Sequence, residues 1–222
     1  MRFPYAPLPF LVFIFILGLL LGVVQLGALT VAFDKLGLSP GSAFLLLFAS
    51  LLGSAVNLPL FTMRAERPPE APVPRPFPGL LRFPARAFTG RTNVAVNVGG
   101  CLMPLLFSLY LLGHAALPGW QVIAAIAAVT AISRLISRPI PGLGIGMPIF
   151  VAPFSAAAIA MLLNAEASAP LAYIGGTLGV LIGADLLRLD DIRRLGAPFA
   201  SIGGAGTFDG IFITGIVAVL LA

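Results

Sequence analysis

"PLAYIGGTLGVLIGADLLRL", residues 170–189, carries charge only at Asp185 and Arg188, both close to its C-terminal end. A helix of that length, at about 1.5 Å per residue, matches the roughly 30 Å hydrocarbon layer of a bilayer. After the short connector "LDDIRRLGAPF", residues 189–199, the chain enters a second apolar run, "ASIGGAGTFDGIFITGIVAVLLA", residues 200–222, interrupted only by Asp209. A carboxylate inside a membrane helix costs about 2.5 kcal/mol or more. Two of them in consecutive runs call for a chemical reason.

Composition agrees with a membrane setting. Of the 222 residues, 59% are apolar and 9% charged, and the mean hydropathy is +1.06. That is more apolar side chain than a soluble core can hide. The single cysteine, Cys101, lies in an apolar run, excludes a disulfide framework and reads as a small packing residue. A net charge of +5 would suggest nucleic acid in a soluble protein, but here the placement of the charges decides.

Apolar runs suitable for crossing occur at roughly 9–33, 42–62, 94–113, 119–136, 145–164, 170–188 and 200–221. Seven spans put Arg2, the six arginines of segment 62–93, Arg134 and Arg138, and Arg188, Arg193 and Arg194 on one side, with Lys35 alone on the other. The positive-inside rule makes that first side cytoplasmic. The sequence therefore predicts an all-α polytopic protein of the cytoplasmic (inner) membrane, N-terminus inside and C-terminus outside. The first run exceeds a secretory signal in length and reads as a retained helix.

Three parts follow: a two-helix hairpin over 1–62, a Pro/Arg-rich cytoplasmic linker over 63–93, and a five-helix core over 94–222. The linker is too proline-rich to be helical, lets the hairpin pack loosely, and contains "FPGLLRFPARAF", residues 77–88, suited to an anionic lipid surface. Within the core, Asn93 and Asn97 are four residues apart, on one face of an expected helix beside Gly99 and Gly100. Such amides act as interhelical glue or bond a carboxylate or a substrate backbone. The segment "SRPIPGLGIGMPIFVAPFS", residues 137–155, has too many prolines and glycines for a straight helix. It predicts a broken, extended or re-entrant backbone before the fifth span, next to a cavity on the cytoplasmic side.

Asp185 and Asp209 lie in antiparallel neighbours. With helix ends near 190 and 200 they sit about five and nine residues deep, on the order of 8 and 14 Å. Two close carboxylates share a proton: the ionised one takes a proton from water while the protonated one polarises a carbonyl. Glycines ahead of Asp209 permit close backbone approach and an open edge for an extended substrate.

Taken together, "RPIPGLGIGMPIFVAP", "IGADLL" and "GGAGTFDGIFITGI" resemble the prokaryotic membrane-protein family catalogued as domain of unknown function 1614, over most of the chain from about residue 40. More distantly, the two aspartates resemble those of the intramembrane aspartyl proteases, the presenilin, signal-peptide-peptidase and prepilin-peptidase group. That resemblance implies Asp185 and Asp209 as catalytic residues, with Gly204, Gly206 and Thr207 beside the second. Asn93 and Asn97 are the supporting or substrate-binding amides already read from the residues, and the resemblance adds Pro148 or Pro153 in the place of the group's Pro-Ala-Leu proline. In that group the second motif is Gly-x-Gly-Asp; here Thr207 and Phe208 stand between Gly206 and Asp209, and Ala184 replaces a tyrosine.

His114 has no second histidine, so no metal is expected; no cofactor motif is present, and the serines lack a base. The expected partners are membrane lipids and a transmembrane peptide substrate, not nucleic acid. Two rivals remain: a proton- or cation-coupled carrier using the same aspartates, and a non-catalytic scaffold with Asp185 bound to an arginine such as Arg188 and Asp209 to Asn97.

Overall fold

The computed structural model describes residues 22, 27–66, 90–140, 144–204 and 210–222. Helix α1, Gly27–Lys35, and helix α2, Pro40–Gly53, meet at a 111° bend. Pro40 opens α2 after Ser39, whose hydroxyl accepts from Ser42 N. The chain then runs as strand β1, Asn57–Arg64, and returns as β2, Arg91–Asn97. Asn97 ends β2 and caps a π-helical turn, Val98–Leu102, that leads into α3, Met103–His114, while α4 follows as Gly119–Ile136. A small hairpin of β3, Arg138–Ile140, and β4, Gly144–Gly146, precedes α5, Val151–Leu163. Helix α6, Ser168–Val180, passes into a second π-helical turn, Leu181–Asp185, and a 3-10 turn, Leu186–Arg188. Then come α7, Leu189–Leu195, β5, Phe199–Ile202, and α8, Gly210–Leu221.

Helix α6 is the axis of the bundle, with eleven of its thirteen residues buried. A helix buried all round must be slim, and α6 is rich in Gly, Ala, Ser and Thr. Gly175, Gly179 and Gly183, four residues apart, face α4. A Cβ on them would lie 3.1 Å from Ala125 Cβ, 2.6 Å from Val129 Cβ and 2.5 Å from the Thr130 carbonyl oxygen. Elsewhere on α6, a Cβ on Gly176 would lie 3.2 Å from Ala156 Cβ of α5 and 3.3 Å from Thr214 Cγ2 of α8. Gly215 of α8 in turn lets Thr177 and the Tyr173 ring come close, and Tyr173 meets Phe107 of α3 edge-on at 4.9 Å.

The remaining layer is a three-stranded sheet in the order β1-β2-β5, with β1 antiparallel and β5 parallel to the central β2. The N-terminal hairpin is not loosely held. Gly53 and Gly99 bring α2 and the first π turn into backbone contact, and Ser50 Oγ donates to the Gly99 carbonyl at 2.7 Å. Lys35 Nζ donates to the Val219 and Leu220 carbonyls at the C-terminal end of α8, where a cation complements the helix dipole.

The protein is thus mostly helical with a membrane-type composition, but it also contains sheets. Among the described residues, Gly119–Ile136 and Ser168–Arg194 are long and apolar enough to cross a membrane, with a third crossing if the bent α1–α2 pair counts as one. The sequence alone predicts seven. Helix α4 covers the expected 119–136 run, but the expected 42–62 helix stops at Gly53 and continues as β1, and the 94–113 run starts as β2. The 145–164 run is helical only from Val151, and the 200–221 run begins as the end of β5. Asn93 and Asn97 accordingly share one side of a strand, not of a helix. Most of the expected first span and the linker from residue 67 to 89 lie outside the described residues.

Candidate active site

The second π turn sets Asp185. Gly183 presses on Thr130 and Ser133 of α4, and the widened turn ends at Asp185, where the helix tightens to 3-10. Such turns are rare inside helices and recur at functional sites. Three residues on, Arg188 locks the break to the end of α4: Nε donates to Ser137 Oγ at 3.1 Å and Nη2 to the Arg134 and Ser137 carbonyls. Its Nη1 pairs with Asp191 at 2.8 Å. With Ser137, Arg134 and Asp191 as its partners, this guanidinium serves the helix junction rather than Asp185.

Asp185 Oδ2 accepts a hydrogen bond from the backbone N–H of Gly203 at 3.2 Å. Gly203 directly follows β5 and has φ +80°, with Gly204 at +89°. A Cβ on Gly203 would fall 2.5 Å from Cys101 Cβ, 2.6 Å from Cys101 N and 2.8 Å from Gly100 C. Only glycine fits here, wedged between the first π turn and the carboxylate that ends the second. Strand β5 pairs with β2 on one side, and no strand pairs with its other edge among the described residues.

Beside this junction lies a polar knot at the end of the sheet. Asn97, fully buried, donates from Nδ2 to the Ser54 carbonyl at 2.7 Å and to Asn57 Oδ1 at 3.2 Å, and accepts from Gly100 N at 2.8 Å. Asn57 Oδ1 also accepts from Ser201 Oγ at 2.5 Å, which ties all three strands together. Asn93, by contrast, is exposed, and its Oδ1 accepts from Thr62 at 2.8 Å.

Of the residues singled out by sequence, Asp185 and Gly204 thus lie at one junction, with Asn97 at the neighbouring end of the sheet. Asn93 stands further along β2. Pro148 is exposed in the turn before α5, its carbonyl accepting from Val151 N. Gly206, Thr207 and Asp209 lie outside the described residues. Sequence reasoning missed Gly203, Asn57, Ser201 and the anchoring role of Arg188. For Gly203 the sequence offered the "GGAG" run as a whole, with nothing to single out its first residue. For Asn57 and Ser201 it offered no signal, because only pairing between distant strands joins them. Among the described residues, no group of three or more His, Cys, Asp or Glu gathers as a metal site.

Comparison with known proteins places this arrangement. The sequence model of the family described as "Protein of unknown function (DUF1614)" matches residues 51–221. The chain belongs to that family. The matched region contains the whole three-stranded sheet, both π turns, Asp185 and all of α8, so the junction is built entirely from the family's own segment. No curated protein and no solved structure matches the chain.

Proposed function

We propose that this member of the family is an intramembrane aspartyl protease-like protein of the cytoplasmic membrane, hydrolysing peptide bonds of membrane-embedded substrates with Asp185 and Asp209. One observation carries the reading: the Asp185 carboxylate is held by the backbone of Gly203 at the very end of an edge strand. An extended peptide that adds to the open edge of β5 brings a carbonyl to that carboxylate. Asp209, six residues after Gly203, supplies the second acid. The ionised aspartate accepts a proton from water as the water oxygen attacks the carbonyl carbon, and the protonated one donates to the carbonyl oxygen. The tetrahedral adduct then collapses, the C–N bond breaks, and the leaving amine takes a proton.

The proposed orientation, seven crossings with the arginine-rich end cytoplasmic, is supported by how charges sort. Arg64, Arg91, Arg188, Arg193 and Arg194 gather where the sheet meets α7, whereas Lys35 lies at the C-terminal end of α8.

The test is cleavage of a transmembrane peptide by the purified protein in liposomes, alongside Asp185→Asn and Asp209→Asn. Cleavage by the wild type that either substitution abolishes, with unchanged melting, is the expected result. Cleavage that survives both substitutions refutes the dyad.

A further inference from the structure

We propose that the V-shaped groove between α1 and α2 binds lipophilic cations, molecules in which a single apolar chain ends in an ammonium group. The groove follows from the turn that joins the two helices. After Lys35 the chain reverses over residues 36–39, where Gly37 takes a φ of +73°. Ser39 and Pro40 then fix the start of α2, and the two helices diverge at the 111° bend. Diverging helices cannot pack along their whole length, so the wedge between them stays partly open. It encloses about 540 Å3 and is lined by Leu29, Phe33, Leu38, Ala43, Phe44 and Leu47. Phe33 and Ala43 are buried and form its inner side, whereas Phe44, 68% exposed, leaves one wall facing outward.

A single charge borders this apolar space. Asp34 is part of the lining and is exposed. Its backbone carbonyl accepts from Gly37 N at 2.9 Å. Among the described residues its carboxylate has no hydrogen-bond or ion-pair partner, since every ion pair there uses Asp191. The neighbouring Lys35 does not pair with it: Nζ donates to the Val219 and Leu220 carbonyls, and Lys35 is not part of the lining. Thr30, one turn before Asp34, is the other polar residue of the groove.

These features select a ligand. Apolar walls take an alkyl chain, and a carboxylate at their edge takes a cation, most strongly one with N–H donors. An alcohol of the same length gains only the first contact, and a fatty acid is repelled. The site also lies where such molecules collect. α1 ends beside the C-terminal end of α8, at the end of the bundle away from the arginines, where an amphiphile keeps its charged head in the polar boundary and its chain in the membrane. A phospholipid fits less well, because its phosphate and glycerol separate the cation from the chains and bring an anion towards Asp34. The site therefore takes a free single-chain amine, and it does not depend on the hydrolytic reading.

The experiment photolabels the full chain, in nanodiscs of phosphatidylcholine at pH 7, with a diazirine-bearing decylamine or with the matching alcohol at equal concentration in the membrane. Mass spectrometry locates the adducts. At low ionic strength the amine labels residues 29–47 about fivefold more than the alcohol does, and the ratio falls as salt is raised. Asp34→Asn, at an exposed position and expected to leave melting unchanged, brings the amine down to the level of the alcohol. Glu166→Gln, which removes an exposed acid beside Ser168 at the same end of α8, leaves the ratio as it was. Equal labelling by the two probes overturns the proposal, as does a preference that survives Asp34→Asn. An equal drop with Glu166→Gln assigns the effect to general surface charge, and loss of labelling when phosphatidylethanolamine replaces phosphatidylcholine assigns the groove to a lipid headgroup; either result rejects the amine site.

Discussion

Replacing Gly203 with alanine separates two costs that the structure lets one work out. The first is conformational: at φ +80° an L-residue pays roughly 1–2 kcal/mol relative to glycine. The second is steric. The new Cβ would stand 2.5 Å from Cys101 Cβ, 2.6 Å from Cys101 N and 2.8 Å from Gly100 C. Two of those three atoms are backbone, so no rotamer change relieves the overlap, and overpacking adds about 1–3 kcal/mol. Gly203→Ala should therefore destabilise by about 2–5 kcal/mol and draw the N–H away from Asp185. Gly37→Ala is the control: its φ is +73°, but nothing lies within 4 Å of the added Cβ, so it should show the conformational cost alone. Equilibrium unfolding in mild detergent reads both. Cys101→Gly should rescue Gly203→Ala only in part, because Cys101 N and Gly100 C remain. Equal destabilisation by the two alanines, or full rescue by Cys101→Gly, would refute the wedge.

Two further outcomes follow from the packing. Asn97→Ala strands the Gly100 N–H and the Ser54 carbonyl in a buried setting and should cost about 2–4 kcal/mol, whereas Asn93→Ala, at an exposed position, should stay within about 0.5 kcal/mol; thermal melting distinguishes them. Gly179→Ala places a Cβ 2.6 Å from Val129 Cβ and should destabilise by about 1–3 kcal/mol. The nearest obstacle is Val129 Cβ itself, with Cγ1 at 2.7 Å, so Val129→Ala, which keeps that Cβ, should recover little of the loss and Val129→Gly more, and a double-mutant cycle measures the coupling.

Much of the helical bundle was legible in the sequence. The α4 run is mainly apolar, with its one charge, Arg134, in the last turn, and it folds as read over 119–136. The Pro/Gly segment at 137–155 was read as non-helical; its first part forms the β3–β4 pair, whereas from Val151 onward it is already helix α5. The sheet was hidden for a physical reason. In "RTNVAVN" the period-2 burial of Thr92 and Val94 exists, but a run of apolar residues around it satisfies a helical reading equally well. What fixes β2 as a strand is its pairing with Phe199–Ile202, a contact no local pattern announces. Asp185 stood out because a charge in an apolar run is costly. Its neighbour Gly203 did not, because a glycine among glycines gives no sign of which one carries the strain. The bonds of Arg188 were likewise unreadable, since Asp185 and Asp191 lie equally far from it in sequence, with Asp190 nearer still.

The pairing of β2 with β5 also bears on how the chain is made. Strand β2 emerges from the ribosome about a hundred residues before its parallel partner, Ala95 lying opposite Ser201. Until then one edge of the β1–β2 pair stays open while the segments of helices α3 to α6 are made. An unpaired strand edge invites wrong partners, and contacts between such distant residues form slowly. Biogenesis of this protein thus includes an interval in which that edge waits for residues about a hundred positions further along the chain. Closing that edge and seating Gly203 beside Asp185 both require Phe199–Ile202 to be in place, so the junction forms only after that strand has been made.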